Sequence, residues 1–215
     1  MSLIKKTKVQ KNQTKVYEKK NTSVLLVEER PTSKSTLKKT LIDFDYYVTK
    51  HISFDEKLIH EIELNNPDIL ILSTEILTDK TLRELSEINQ LLPLPIVIFV
   101  EYDSPNVIQT AIKAGVSAYV VHETLPQRVK SVISVASERF KEIQSLRNEL
   151  KQAKTQLESR KLIERAKGLL MEQKNISEKQ AFDTLRKMAM NQGNSLAMVA
   201  KNIIDVCEVL STSHV

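Results

Sequence analysis

The sequence predicts an α/β fold with a parallel sheet, followed by an all-helical C-terminal region. Between residues 22 and 126, short continuous apolar runs alternate with amphipathic segments. This pattern is typical of parallel strands that are buried on both faces by the helices between them. After Pro126 the remaining 89 residues contain no proline, and glycine occurs only at positions 168 and 193. Such a composition favours helices over strands and turns.

Five strand–helix units can be recognised in about 115 residues. The third strand follows Pro67, and Gly115 is placed to end the helix before the fifth strand. This number of units is typical of the flavodoxin-like doubly wound fold. The predicted strands cover residues 23–27, 46–52, 68–72, 95–100 and 118–121, and the helices between them cover residues 33–44, 55–66, 82–92 and 104–114.

A single long helix is predicted from about Pro126 to Lys174. We expect it to pack on the sheet up to about Phe140. Beyond that point its apolar residues alternate at spacings of three and four, which is typical of a coiled-coil seam. No other segment is available to cover this seam, so we expect a parallel homodimer. The dimer seam consists of Ile143, Leu146, Leu150, Ala153 and Leu157.

Three helices are predicted in residues 159–210, the first of them being the end of the long helix. Ser177 and Gln180 form a capping-box pattern at the start of the second helix. Gly193 is placed to end that helix, and Ser195 to start the third. The simplest interpretation of this region, without a specific binding function, is a small helical bundle used for dimerisation. We therefore expect four parts: a tail (1–21), an α/β domain (22–126), a coiled-coil helix (127–158) and a helical module (159–210).

Charge is distributed unevenly along the chain, although the total is only +5. Residues 1–20 contain seven lysines and one glutamate, and residues 151–215 contain 11 basic and seven acidic residues. The N-terminal tail is predicted to be disordered, and it serves either to attract phosphates or only to increase solubility. The single cysteine, Cys207, suits a reducing cytoplasm and a place in the core. No apolar run is long enough for a membrane span, and no secretion signal is expected.

The order and spacing of the first five strands resemble the receiver domain of bacterial response regulators. That resemblance implies an acidic pair after the first strand, a phosphoacceptor aspartate after the third, a hydroxyl residue after the fourth and a lysine after the fifth. Here the acidic pair is Glu28 and Glu29, and the acceptor position is Ser73. The hydroxyl and lysine positions fall on Val100 and His122.

We therefore predict a pseudo-receiver that is not phosphorylated, because a neutral serine hydroxyl is a poor nucleophile without an activating base. Glu28 and Glu29 could bind a metal ion weakly, but an exposed, vestigial acidic pair is the preferred interpretation. We expect no metal and no cofactor. No nucleophile–base pair is recognisable, so an enzyme is not expected either.

The C-terminal string RKLIERAKGLLMEQKNISEKQAFDTLRKMAM, followed by SLAMVA, resembles the ANTAR domain without a gap. This domain is the RNA-binding module of AmiR- and NasR-type transcription antiterminators. The resemblance implies binding to stem-loops in leader mRNA, which prevents formation of a terminator hairpin. A DNA-binding regulator is the alternative, since three short helices can also form a helix-turn-helix.

Basic residues of this module are the candidates for phosphate contacts, although a charged helix face is often only solvated. Gly168 is a further candidate, because glycine inside a helix costs about 1 kcal/mol relative to alanine and so indicates close approach of RNA or of another helix. Lys161 is a weaker candidate than the others. The candidates are Arg160, Lys161, Arg165, Lys167, Gly168, Arg186 and Lys187.

The whole chain except the tail resembles the nitrate- and nitrite-assimilation branch of these antiterminators. For that branch the resemblance implies a sequestering partner, a NasS-like nitrate sensor related to periplasmic binding proteins. Because Ser73 replaces the acceptor, we expect control by such a partner. The alternatives are a phosphorylation-controlled response regulator and an amidase-operon antiterminator of the AmiR type.

Overall fold

The computed structural model describes residues 21–102, 105–121 and 125–212. Residues 1–20 of the predicted tail and His122 lie outside these residues. The described chain forms a five-stranded parallel sheet in the order β2-β1-β3-β4-β5 and a set of C-terminal helices. This strand order is that of the flavodoxin-like fold, which confirms the predicted fold class.

The elements follow each other in the predicted order. The strands are β1 (Ser23–Glu28), β2 (Tyr47–Ile52), β3 (Ile69–Thr74), β4 (Ile96–Val100) and β5 (Ala118–Val121). The helices are α1 (Thr36–Asp43), α2 (Leu58–Asn65), α3 (Asp79–Leu91), α4 (Pro105–Lys113), α5 (Pro126–Lys174), α6 (Glu178–Gln192) and α7 (Leu196–Thr212).

The chain divides into two compact units, residues 1–141 and residues 142–215. These units do not test the predicted domain borders, which stay predictions. In the first unit the sheet is covered on both faces, as continuous apolar strands require. One core joins Leu25 and Leu70 to helices α2, α3 and α4. The other joins Val24 to α1 and to the first turns of α5, where Val129 and Ile133 are buried.

The second unit contains the C-terminal part of α5 together with α6 and α7. Its core consists of small and branched side chains, among them Ala166, Ala181, Leu185 and Ala200. The predicted capping box is present, with the Ser177 hydroxyl accepting from the Gln180 amide and the Gln180 side chain accepting from the Ser177 amide. This arrangement fixes where α6 begins.

Two further predicted features of this unit are also present. Gly193 ends α6 in the left-handed conformation, with φ of 63°, and Cys207 is buried. Within the described residues, no helix is both long enough and apolar enough to cross a membrane.

The predicted seam lies on the outside of the second unit. Its leucines at 146, 150 and 157 are 56–58% exposed, and Ile143 is 42% exposed. No described residue buries them. The homodimer that would cover this seam stays a prediction.

Candidate functional site

Two places were singled out in the sequence: the carboxyl edge of the sheet and the basic surface of the helical module. At the sheet edge, the parallel register places Glu28 beside Ser73, and Ser73 beside Phe99. Thr74 is paired with Val100, whose side chain is 2% exposed. The ends of β1, β3 and β4 therefore meet at this edge, which carries a serine at position 73 and a buried valine at position 100.

Glu28 is engaged by neighbouring side chains. Its Oε2 lies 2.6 Å from Nε2 of His51 on β2, and its Oε1 accepts a 3.0 Å hydrogen bond from the Ser35 hydroxyl. The Glu28 side chain is only 15% exposed. The prediction of an exposed acidic pair is therefore wrong for Glu28, because a histidine on the neighbouring strand and the residue that caps α1 both reach it.

Glu29 is exposed, as predicted, but it is also held in place. Its Oε1 accepts a 2.6 Å hydrogen bond from the Thr74 hydroxyl and a 2.9 Å bond from the Glu75 amide. These two hydrogen bonds hold the pKa of Glu29 below its ordinary value. Each carboxylate of the acidic pair thus already has protein donors. Among the described residues, no group of three metal-binding side chains comes together.

The basic candidates on α5 divide between two faces of the helix. Lys161, Arg165 and Gly168 are spaced by four and three residues, so they share one face. All three are exposed. We call them the α5 face. Arg165 donates a 2.6 Å hydrogen bond to Glu208 of α7, and this ion pair lies in solvent.

Lys167 occupies a different environment from the other basic candidates. The residue is 8% exposed, and its Nζ lies 2.6 Å from a carboxylate oxygen of Glu178 and 2.9 Å from one of Glu164. Hydrogen bonds to Glu178 and then to Glu164 raise the pKa of Lys167. The ammonium therefore links α5 to the first residue of α6, and it would have to leave both carboxylates to bind an RNA phosphate.

Gly168 leaves open space on the α5 face. A Cβ built at this position meets no described atom within 4 Å, apart from its own helix and chain neighbours. Of the two explanations for this glycine, close packing of another helix is therefore wrong for the described chain. The approach of RNA stays a prediction.

The remaining candidates are separate from the α5 face. Arg160 directly precedes Lys161 on α5, and Arg186 and Lys187 lie on α6. All three are exposed. Arg186 also lines an open cavity with Phe182, Ala189 and Met190.

Several residues of these sites were not identified from the sequence. His51, Thr74, Glu178 and Glu208 each hold a candidate residue from another strand or helix. Of the acidic partners of Lys167, only Glu164 had a local signal, its spacing of three residues on the same helix. The cavity beside Phe182 had no signal in the sequence.

Comparisons with known proteins identify a domain in the C-terminal part of the chain. Residues 151–204 match the family model of the ANTAR domain. An ANTAR domain is therefore present, and it lies within the second unit. The chain is also 28% identical over 182 residues to the transcriptional regulatory protein PdtaR of Mycobacterium tuberculosis, a match that covers 85% of this chain and 89% of PdtaR.

A shorter similarity joins the chain to the nitrate regulatory protein of Klebsiella oxytoca. The two are 36% identical over 77 residues, which is 36% of this chain and 19% of that protein. The named relatives are regulatory proteins.

Two receiver-domain structures are also similar to this chain. One is the receiver domain of a modulated diguanylate cyclase from Desulfovibrio desulfuricans, with 19% identity, a TM-score of 0.47, and coverage of 55% of this chain and 95% of the other. The second is the receiver domain of the putative response regulator NarL from Mycobacterium tuberculosis, with 15% identity, a TM-score of 0.47, and coverage of 54% and 96%.

Proposed function

We propose that this chain is an ANTAR-domain transcriptional regulator that acts by binding RNA. In this proposal it stabilises tandem stem-loops in a leader mRNA and so prevents transcription termination. The observation that carries the proposal is an ANTAR domain with an exposed basic helix face at Lys161 and Arg165 and an open position at Gly168. Compact helical surfaces of this kind suit RNA loops, whose unpaired bases and phosphates are accessible.

The RNA would contact the α5 face first. Lys161 and Arg165 would neutralise phosphates, and Gly168 would let the RNA backbone approach the helix closely. Arg186 and Lys187 would extend the contact from α6, and Arg160 from the adjoining part of α5. Lys167 acts mainly on the fold of the module, because both of its carboxylate partners belong to the protein.

The regulated genes are, in this proposal, those of nitrate and nitrite assimilation. The runs AGVSAYVV and RKLIERAKGLLM resemble the antiterminator NasT. Support from the nitrate regulatory protein of Klebsiella oxytoca covers 36% of this chain. A NasS-like sensor protein would sequester the chain until its ligand binds, since the acceptor position holds Ser73. Pairing of two seams into a homodimer would then present two modules to two stem-loops.

The direct test is an electrophoretic mobility-shift titration with tandem hexaloop stem-loop RNA, in the absence of any sensor. We expect binding at moderate salt, with an affinity that falls as salt rises because phosphates are neutralised. Competitors are RNA with the same stems and scrambled loops, and duplex DNA of the same length. Lys161→Gln and Arg165→Gln should each weaken binding, while the matched surface variant Lys201→Gln on α7 should not.

Failure of the purified chain to bind the stem-loops would contradict the proposal. A preference for duplex DNA at matched salt would favour a DNA-binding regulator instead. A second candidate function, a phosphorylation-controlled response regulator, is favoured by the receiver-like strand order. The environment of Ser73 and Val100 argues against it.

A further inference from the structure

Phe182 is the only aromatic residue between residues 141 and 215. Its position on α6 next to Ala181 and near Leu185 would allow it to enter the core, but both of those residues are 0% exposed and Phe182 is 41% exposed. An exposed phenylalanine needs no explanation by itself. Its surroundings decide whether it has a role.

Phe182 lines an open cavity of about 510 Å³ in the second unit. Arg186 and Met190 follow it at intervals of four residues, so the three side chains lie along one face of α6. Met190 is 73% exposed. Gly193 and Leu196, from the turn into α7 and its start, also line the cavity. We call this cavity the α6 groove.

The α6 groove is mainly apolar and carries one positive charge, and Asn194 adds a neutral polar side chain to its lining. Arg186 is the only charged residue among those that line it, and no carboxylate does so. Within the described part of the chain, Arg186 forms no ion pair. An aromatic ring beside a free guanidinium fits a flat, neutral group that is attached to an anion. A nucleobase with its phosphate has this combination, and stacking of bases on aromatic side chains is a common mode of single-stranded RNA recognition.

We infer that the α6 groove receives one unpaired base of an RNA loop, stacked on the ring of Phe182. Arg186 binds the phosphate next to that base. This inference rests on the proposed RNA-binding function and deepens it. It assigns the reading of a loop base to α6, and general phosphate contacts to the α5 face.

The test combines ring variants of Phe182 with RNA that lacks single bases. Phe182→Leu keeps apolar volume but removes the ring, and Phe182→Tyr keeps the ring. Each is titrated against the stem-loop RNA and against versions with an abasic site at each loop position in turn. With intact RNA, Phe182→Leu should bind roughly tenfold more weakly than the wild type, and Phe182→Tyr should bind about as well.

The decisive result is coupling between protein and RNA changes. At one loop position, the abasic RNA should bind the wild type and Phe182→Leu with the same reduced affinity, because the stacking partner is already missing. Val206→Ala is the matched control, since Val206 is 58% exposed on α7 and lies outside the groove. It should bind intact and abasic RNA as the wild type does.

Several results would overturn the inference while leaving the proposed function intact. One such result is that the wild type and Phe182→Leu bind intact RNA equally well. Another is that Phe182→Leu loses the same amount of affinity for every abasic RNA, whichever loop base is missing. A change in molecular mass with Phe182→Leu would also overturn it, because the groove would then be a protein interface. If Phe182→Leu does not fold, Arg186→Gln and the wild-type abasic series decide, and a series with no sensitive loop position contradicts the inference. Absence of RNA binding by the wild type would instead refute the proposed function itself.

Discussion

Gly168 is unfavourable for the helix and has open space beside it. One substitution can measure separately its effect on stability and its effect on RNA binding. Gly168→Ala adds a methyl group that meets no described atom within 4 Å. We expect the free energy of unfolding to rise by about 0.5–1 kcal/mol, since alanine is the better helix former. The affinity for stem-loop RNA should fall at least several-fold, because the methyl group would hold the RNA backbone away. Urea unfolding and RNA titration measure the two effects.

Gly115→Ala, in the first unit and outside the proposed RNA surface, is the control for this substitution. Gly115 has φ of 97°, a conformation that alanine adopts only with strain. It should therefore lower the stability and leave the RNA affinity of the folded protein unchanged. If Gly168→Ala raises stability without weakening RNA binding, the close approach of RNA at this position is refuted.

The contact between Lys167 and Glu178 should make the stability of the protein depend on pH. Its hydrogen bond lowers the pKa of Glu178 below the ordinary value of 4.5. The stabilisation is therefore complete above that ordinary value and is lost as the pH falls through the lowered pKa. Lys167→Met should be less stable than the wild type at neutral pH. The difference in stability between the two proteins should become smaller when the pH falls below the ordinary pKa of Glu178. Thermal unfolding of both proteins across this range measures the gap.

The same variant separates a structural role from RNA contact. A lysine that neutralises a phosphate contributes about one unit to the salt dependence of binding. If Lys167 only links α5 to α6, the slope of affinity against salt should be the same in Lys167→Met and the wild type. A slope smaller by about one unit would restore Lys167 as a phosphate ligand.

At the scale of residues, the sequence shows which residue types form a candidate site, but not which side chains from other elements contact them. The basic candidates were visible as a cluster, but their division between faces depends on partners elsewhere. Lys167 turns inward because Glu178 begins the next helix. Glu28 is engaged because β2 brings His51 beside it. Neither partner can be inferred from local spacing, since each comes from a different element.

At the scale of elements, the exposed seam of α5 predicts self-association. Leu150→Lys places a charge where two helices would meet, so it should weaken dimerisation at least tenfold and yield monomers at micromolar concentration. Asn148→Lys is the matched control, because it adds the same charge two residues away on the opposite side of the helix. Light scattering coupled to size-exclusion chromatography distinguishes the two variants.

The seam prediction fails if both variants keep the mass of the wild type, or if the wild type is itself monomeric. Binding to tandem stem-loops gives a second measurement. A monomeric variant should lose the gain in affinity of two linked loops over one, while its affinity for a single loop is retained.

The ends of elements show what hydrophobic patterns leave out. Helix α1 begins at Thr36, after the predicted start at residue 33, because the Ser35 hydroxyl accepts from the amide of Lys38. Strand β3 continues to Thr74, two residues past the predicted apolar run, because Ser73 and Thr74 pair with β4. The strong signals, five apolar runs and one proline-free segment, predicted the order of the elements, but α2 begins at Leu58 and α3 at Asp79, against predicted starts at 55 and 82. Hydrogen bonds of polar residues decided where the elements stop.

At the scale of the whole molecule, the receiver-like fold raises the question of phosphorylation. We expect incubation with acetyl phosphate and Mg²⁺ to leave the intact mass, the oligomeric state and the RNA affinity unchanged. Ser73 offers a neutral hydroxyl, and the carboxylates of Glu28 and Glu29 already have protein donors. Mass spectrometry and RNA titration before and after treatment measure this outcome.

A receiver domain with an intact acceptor aspartate, treated in the same reaction, shows that the phosphodonor is active. A phosphoryl adduct on this chain, or dimers that form only after treatment, would favour the response-regulator alternative.

The fold itself could be predicted because the strands are buried on both faces and leave a continuous apolar signal. That position 73 holds serine is read directly from the sequence, and the loss of phosphoacceptor chemistry that follows from it stays a prediction.

The uncovered leucines of α5 have a consequence for gene dosage. If two chains must join before two linked stem-loops are engaged, the active species at low abundance grows with the square of the amount of protein made. Halving expression would then reduce the amount of dimer about fourfold, as mass action requires. A stripe of four large apolar side chains in water would in this way set a threshold of expression, below which the target transcripts terminate.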